Sequence, residues 1–216
     1  LEKLMMFQLG DIVYKGVKSG LMLNQQVNIC DTEISFPEQW LKPDTKPHIS
    51  QVYKHLVQYE KRNQRIVDDI VSCIEDGRAI IVLTERKEHI EILSELLIQA
   101  GLSVVELHGG ISAKQRQERI AMLEENKGLA NPKQVILATG KYVGEGFDMP
   151  YLDTLFITLP IAWKGILAQY AGRIGREWSN KSSVQVYDYL DDFPMLKRMY
   201  AKREKGYKAL GYKLVS

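Results

Sequence analysis

Apolar residues change their spacing several times along the chain, and each change marks an element. Ile66, Val67, Ile70, Val71 and Ile74 recur at the three-to-four-residue interval of one helical face, with Gly77 as a stop. Residues 79–83, Ala-Ile-Ile-Val-Leu, form a continuous apolar run that predicts a strand buried on both faces. Ile90, Leu93, Leu96 and Leu97 predict the next helix, which ends at Gly101. Residues 103–107, 134–138, 154–159 and 184–189 read as four more strands. Between the first two of these, His108-Gly109-Gly110 is a turn, and Ser112 opens a helix with Gln115 at capping-box spacing. Alternating helices and apolar strands predict an α/β fold, an open and mostly parallel sheet flanked by helices.

The pattern is weaker at both ends. Residues 11–17 and 27–34 alternate partially and read as short strands. Pro37, Pro43 and Pro47 then punctuate a stretch expected to lack a regular element. Residues 49–60 suit a short helix. At the other end, residues 193–212 mix Met195, Leu196, Met199 and Tyr200 with Lys197, Arg198, Lys202, Arg203, Lys205 and Lys208. That is the pattern of an amphipathic helix with a basic outer face, which suits either solvent or nucleic acid.

Composition narrows the picture modestly. The chain has 216 residues and a net charge of +2, so any basic surface must be local. Cys30 and Cys73 are the only cysteines, too few for a disulfide or metal framework. A reducing, cytoplasmic setting is the simplest expectation. No apolar run approaches the roughly 18 residues of a membrane span, and no membrane partner is expected. The first residue is Leu1 rather than Met, and the opening residues lack a signal-peptide layout, so a fragment of a longer protein is expected.

Two stretches carry candidate chemistry. Residues 169–176 read Gln169-Tyr170-Ala171-Gly172-Arg173-Ile174-Gly175-Arg176. Arginine presents a planar fork of donors suited to phosphate oxygens, and on a helix two arginines three residues apart share a face. The same spacing also suits a helix end whose arginines pair with carboxylates such as Glu177. Residues 138–150 contain Thr139, Gly140, Gly144, Glu145, Gly146 and Asp148, ending on Met149-Pro150. Such glycines let a backbone approach a ligand closely, Thr139 can donate to a phosphate, and Asp148 can accept from a ribose hydroxyl or orient an arginine. A plain glycine-rich connection fits these residues as well.

In a parallel sheet, ligands gather at the carboxyl ends of the strands. Those ends carry Thr84, His108-Gly109-Gly110, Thr139-Gly140 and Pro160. Thr84 also suits a helix N-cap, and His108 also suits a structural role. No Gly-x-x-x-x-Gly-Lys-Ser/Thr phosphate loop and no Asp-Glu-x-His or Asp-Glu-Ala-Asp run occurs, and no nucleophilic triad is evident.

Taken in order, residues 138–150 and 169–176 resemble motifs V and VI of superfamily 2 helicases. Residues 81–84 resemble motif IV, and Leu107-His108-Gly109-Gly110 resembles the segment between motifs IV and V. The resemblance covers about residues 63–190. Residues 148–155 and 160–165, with the tail 199–212, look closest to the DEAD/DEAH-type branch related to restriction-enzyme translocase subunits. The resemblance implies the second of two RecA-like lobes, a P-loop NTPase type of fold. It places the end of the first lobe, a linker and edge elements in residues 1–60, the lobe itself in 61–190 and a helical extension in 191–216.

The same resemblance implies Arg176 as arginine finger, Arg173 as a second γ-phosphate contact and Gln169 as a nucleotide sensor. Glu145, Gly146 and Asp148 would link the nucleotide cleft to the nucleic-acid track. Thr84, His108, Gly109, Thr139 and Gly140 would lie on that track. ATP and Mg2+ would be held mainly by the first lobe of the same chain, and the fragment alone would be inactive. The nucleic acid would be DNA in preference to RNA. The alternative is a non-catalytic α/β module that binds nucleic acid or a protein through the same cleft.

Overall fold

The structure, a computed structural model, describes residues 23–125, 133–140, 149–161, 170–171, 174–176, 178 and 181–215. The expected strand at residues 11–17 lies outside them. Among the described residues, seven strands form one sheet: β1 (Asn24–Asp31), β2 (Ile80–Thr84), β3 (Ser103–Leu107), β4 (Gln134–Thr139), β5 (Thr154–Ile157), β6 (Ser183–Leu190) and β7 (Lys213–Val215). Their order is β3-β4-β2-β5-β6-β1-β7, and every pairing is parallel. Among the described residues, the helices with defined bounds are α1 (Glu38–Leu41), α2 (Ile49–Gln58), α3 (Glu60–Glu75), α4 (Lys87–Gln99), α5 (Ala113–Glu125) and α6 (Pro194–Leu210). This is the α/β sheet that the apolar pattern predicts.

Central strand β2 shows why the pattern works. All five of its residues are buried, and successive side chains alternate between two faces. Ile81 and Leu83 join one core with Leu123 of α5, Tyr170, Ile174 and Tyr207 of α6. Ile80 and Val82 join the other, with Ile66, Ile70 and Ile74 of α3 and Leu93 and Leu97 of α4. A smaller third core gathers Val52, Leu56 and Val57 of α2 with Leu159, Phe193 and Leu196.

Helix ends follow local chemistry. After α3, Gly77 takes φ +75°, and the Arg78 amide donates to the Cys73 carbonyl at 3.0 Å, closing the last turn. Gly101 at φ +82° and Gly211 at φ +86° end α4 and α6 in the same way. Pro194 opens α6, where its missing amide hydrogen costs nothing. Ahead of α5 the expected capping box is present: the Gln115 amide donates to Ser112 Oγ at 3.2 Å, and the Ser112 amide donates to Gln115 Oε1 at 2.9 Å.

The structure departs from the pattern in three places. Residues 24–31 form a strand between β6 and β7, so the early part of the chain lies inside the sheet, one strand from its edge. The proline-rich stretch contains the one-turn helix α1, because Pro37 can stand just before a helix start. Strand β7 has only three residues, too short for alternation to register.

Strand β6 is clamped from both faces by buried ion pairs. Arg203 of α6 donates from Nε and Nη2 to the two oxygens of Asp188 at 2.7 and 2.8 Å, and the Tyr207 hydroxyl adds a third bond at 2.8 Å. Just past β6, Asp191 accepts from Nε and Nη2 of Arg62 of α3 at 2.7 and 3.2 Å, and from the Thr32 hydroxyl at 2.6 Å. All four charged side chains are essentially inaccessible. Removing one partner of such a pair strands a buried charge, which costs about 3–5 kcal/mol. Asp188→Ala should therefore lower the unfolding free energy by about that much, read from urea midpoints. Asp188→Ala combined with Arg203→Met should recover a large part of the loss.

Candidate functional site

The carboxyl ends of the strands share one edge of the sheet, because all pairings are parallel. There the structure sorts the expected residues by what their side chains already do. Thr84 is 1% exposed, and its hydroxyl lies 3.0 Å from Nδ1 of His89. His89 Nε2 lies 3.1 Å from Asn63 Oδ1, and Asn63 Nδ2 donates to the Val57 carbonyl at 2.7 Å. An amide oxygen can only accept, so Nε2 carries the imidazole proton and Nδ1 accepts from Thr84. The hydroxyl expected to face nucleic acid is thus turned inward, and it braces the end of β2 on α4, α3 and α2. Thr84 is also not the cap of α4, whose N-cap position is Arg86.

His108 is likewise mostly buried. Its Nδ1 accepts from the Gly110 amide at 2.9 Å, and its Nε2 lies 3.5 Å from Glu106 Oε2. The ring folds back on its own turn, which explains Gly110: a Cβ there would meet His108 Cε1 at 2.9 Å. What the turn exposes is backbone at Gly109 and Gly110. Thr139 is half-buried at the end of β4, and Gly140 beside it is buried.

The two motif-bearing stretches meet. The Tyr170 hydroxyl donates to the Gly140 carbonyl at 2.6 Å, and the Tyr212 hydroxyl donates to the Ala171 carbonyl at 3.0 Å. Tyr170, Ala171 and Ile174 are all buried, the i, i+1, i+4 pattern of one helical face. Two residues after Ile174, Arg176 is exposed. Its carbonyl accepts from Lys181 Nζ at 3.1 Å, and the same ammonium donates to the Pro150 carbonyl at 2.9 Å. Pro150 and Lys181 shortly precede β5 and β6, so the Arg176 turn lies toward the amino ends of those strands. Arg173, Gln169, Glu145, Gly146 and Asp148 lie outside the described residues.

Near Lys181, Arg78 donates to Thr154 Oγ1 and Ser183 Oγ, each at 2.8 Å, and pairs with Asp153 at 3.3 Å. The Ala79 amide also donates to Asp153 at 3.1 Å. Burial raises the Asp153 carboxyl, and Arg78 opposes that shift. Burial pulls Lys181 down to about 8, with Asp153 opposing and Arg78 reinforcing. Sequence reading missed Lys181, whose only signal was a lone cation between a polar loop and a strand. It also missed the Thr84–His89–Asn63 chain, since His89 and Asn63 sit on helix faces that look ordinary until packed.

Among the described residues, no group of His, Cys, Asp and Glu is arranged to hold a metal. Nor is any helix among them long and apolar enough to cross a membrane. Exposed basic residues on α6 include Arg198, Lys202 and Lys205, while Lys197 pairs with Asp192 at 2.6 Å and Lys208 with Glu204 at 2.7 Å.

Residues 62–178 match the helicase conserved C-terminal domain. The chain is 25% identical over 166 residues to transcript termination protein A18 of fowlpox virus, covering 71% of this chain and 35% of that protein. It is 34% identical over 99 residues to the protein translocase subunit SecA of Burkholderia vietnamiensis, covering 46% of this chain and 10% of that protein. The chain thus spans only about a third of the viral relative and a tenth of the bacterial one. Among solved structures it resembles T4 UvsW, with a TM-score of 0.67 and 17% identity over 88% of this chain and 40% of that one. It also resembles the C-terminal domain of the DEAD-box protein Dbp5, with a TM-score of 0.58 and 15% identity over 90% of this chain and 89% of that one. These two likenesses concern the fold.

Burial of His89 has a measurable consequence. Its inaccessible imidazole is pushed down to about 3 by desolvation first and by Arg62 second. Unfolded, the same group titrates near 6.5. The stability held by the neutral ring is therefore complete above about pH 6.5 and is lost as pH falls toward 3. This one proton contributes a slope of about 1.4 kcal/mol per pH unit between those limits. Urea unfolding from pH 7 to 4 should show that slope, and His89→Gln should reduce it by about one proton's worth.

Proposed function

The chain belongs to the helicase conserved C-terminal domain family, and from that premise we propose that it is the C-terminal motor lobe of an ATP-dependent nucleic-acid helicase or translocase. Arg176 is its arginine finger. A first RecA-like lobe of the same protein holds ATP and Mg2+, and this lobe completes the site when the two close. The observation that carries the reading is the exposed Arg176, held two residues from the buried Ile174 on a stretch tied by Tyr170 to the end of β4. Arg173 and Gln169 act beside it on the nucleotide, as the motif they share with Arg176 implies. Glu145, Gly146 and Asp148 connect the nucleotide cleft to the nucleic acid.

The chemistry suits that division. Phosphoryl transfer spreads negative charge over the γ-phosphate oxygens, and a guanidinium supplied from outside the phosphate cradle stabilises it. Because the arginine is delivered by lobe closure, hydrolysis is coupled to motion of the lobes. Nucleic acid would run along the carboxyl edge, where Gly109, Gly110 and Thr139 present backbone and a hydroxyl. Contacts of this kind meet phosphate and sugar and carry no direct sequence information. Thr84 and the His108 ring, with their polar atoms engaged internally, shape that edge from beneath. The solved neighbours include the Mss116p domain bound to an RNA duplex, with a TM-score of 0.50 and 15% identity over 78% of this chain and 55% of that one. That neighbour supports a nucleic-acid track, and comparing DNA with RNA as stimulators of the ATPase identifies which polymer this lobe follows.

In the intact protein, Arg176→Ala should lower nucleic-acid-stimulated kcat by about 10³–10⁵-fold. Nucleotide binding, measured with a fluorescent ATP analogue, should persist. Undiminished turnover in that variant would remove Arg176 from the role. Absence of any ATPase from the intact wild-type protein would favour a non-catalytic binding module instead.

A further inference from the structure

We propose that Lys181 is a positioning residue for Arg176, a clamp that fixes the arginine-bearing turn against the end of the stretch that starts at Gly140. This inference rests on the reading of Arg176 as the arginine finger. The geometry that carries it is a single ammonium bridging two carbonyls from the two motif-bearing stretches. Lys181 Nζ donates to the Arg176 carbonyl at 3.1 Å and to the Pro150 carbonyl at 2.9 Å. Residues 140–150 and 170–176 are thereby tied at both ends. Tyr170 joins Gly140 at 2.6 Å at one end, and Lys181 joins Pro150 to Arg176 at the other.

Lysine suits this task. Its ammonium carries three donors and no acceptor, so one group can hold two carbonyls at once. A charged donor makes a stronger hydrogen bond than a neutral one. The arrangement costs something, since Lys181 is half-buried and its charge is partly desolvated. Among the described residues, the charged groups that face it are Asp153 and Arg78. Asp153 is already engaged by Arg78 at 3.3 Å, the Ala79 amide at 3.1 Å and the Thr154 hydroxyl at 2.8 Å. Packing alone would be served as well by a methionine.

What the cost secures is the direction of a side chain. Arg176 is exposed, and its backbone is the part the clamp can hold. A misplacement of about 1 Å at a reacting group can cost on the order of 10²-fold in rate. The clamp also has a pH signature. With Lys181 lowered to about 8, the charged donor is present at pH 7 and is lost through pH 8 to 9. Tyr170 supplies the other tie with a neutral hydroxyl, whose donation needs no charge.

The test is made in the intact protein with ATP and saturating nucleic acid. Lys181→Met should lower kcat at pH 7 by about 10- to 100-fold, with KM for ATP little changed. Lys181→Arg should restore most of that loss. In an Arg176→Ala background, Lys181→Met should add no further loss, because it acts through the same side chain. Wild-type kcat should also fall between pH 7.5 and 9 relative to Lys181→Arg, which stays charged. This pH comparison decides the matter if Lys181→Met proves unstable in a thermal melt. Unchanged kcat in a folded Lys181→Met, multiplying losses in the double variant, or parallel pH profiles would overturn the clamp and leave the arginine finger standing. Full activity in Arg176→Ala would overturn the finger itself, and the clamp with it.

Discussion

A parallel sheet buried on both faces is the constraint from which the rest of this lobe follows. Because the strands all run one way, each must be reached by a crossover, and the crossovers cover the sheet with helices. Strand β2 then has no face left for a polar side chain until its last residue, Thr84, whose hydroxyl is taken up by His89. The same direction brings every carboxyl end to one edge, so the turn at His108 and Gly140 past β4 lie on adjacent strands there, and Asp191 past β6 lies farther along the same edge. The edge along which we propose the nucleic acid runs is a by-product of that topology.

Hydrophobic burial supplies most of the drive toward such a sheet, but it says little about where each helix should lie along it. The paired charges on β6 and just past its end supply that. Asp188 faces α6 and Asp191 meets α3, so a single strand sets the height of a helix on each side. Buried ion pairs contribute little net stability compared with well-packed apolar residues, since desolvation consumes most of their attraction. Their value here is geometric. The bidentate fork between Arg203 and Asp188 admits one alignment, and Tyr207 and the Ile161 carbonyl complete the donors and acceptors around it.

Much of this was legible in the sequence, for a physical reason. Strands buried on both faces are written as apolar runs, which is how β2, β4 and β5 were readable, whereas β3 and β6 showed through apolar positions spaced between polar ones. Glycines Gly77 and Gly101 were readable as stops, since their positive φ suits a residue without a Cβ. The place of residues 24–31 was not readable, because their pairing with β6 joins residues about 160 apart and leaves no local mark. The candidate site was legible as a set of motifs and less so as a set of roles. Thr84, His108 and Gly140 stand at or just past the carboxyl ends of β2, β3 and β4, and two of them spend their side-chain polar atoms inside the lobe. Local sequence cannot distinguish a hydroxyl that faces solvent from one that faces a helix five residues later.

Burial therefore separates the positions within a motif more sharply than residue type does. Among the described residues of 170–176, Tyr170, Ala171 and Ile174 are buried and hold the segment in place, and Arg176 is exposed. An arginine with a free backbone would spread its guanidinium over many directions, and closure of a second lobe would then have to order it. Ordering a long side chain and its backbone costs on the order of 1–2 kcal/mol each. When the backbone is ordered in advance, that share of the cost is met during folding. The buried anchors of the segment meet it on one side with apolar contacts. The carbonyl bridge from Lys181 meets it on the other with charge, and a charged tie is the one a cell or an assay can loosen with a change of pH.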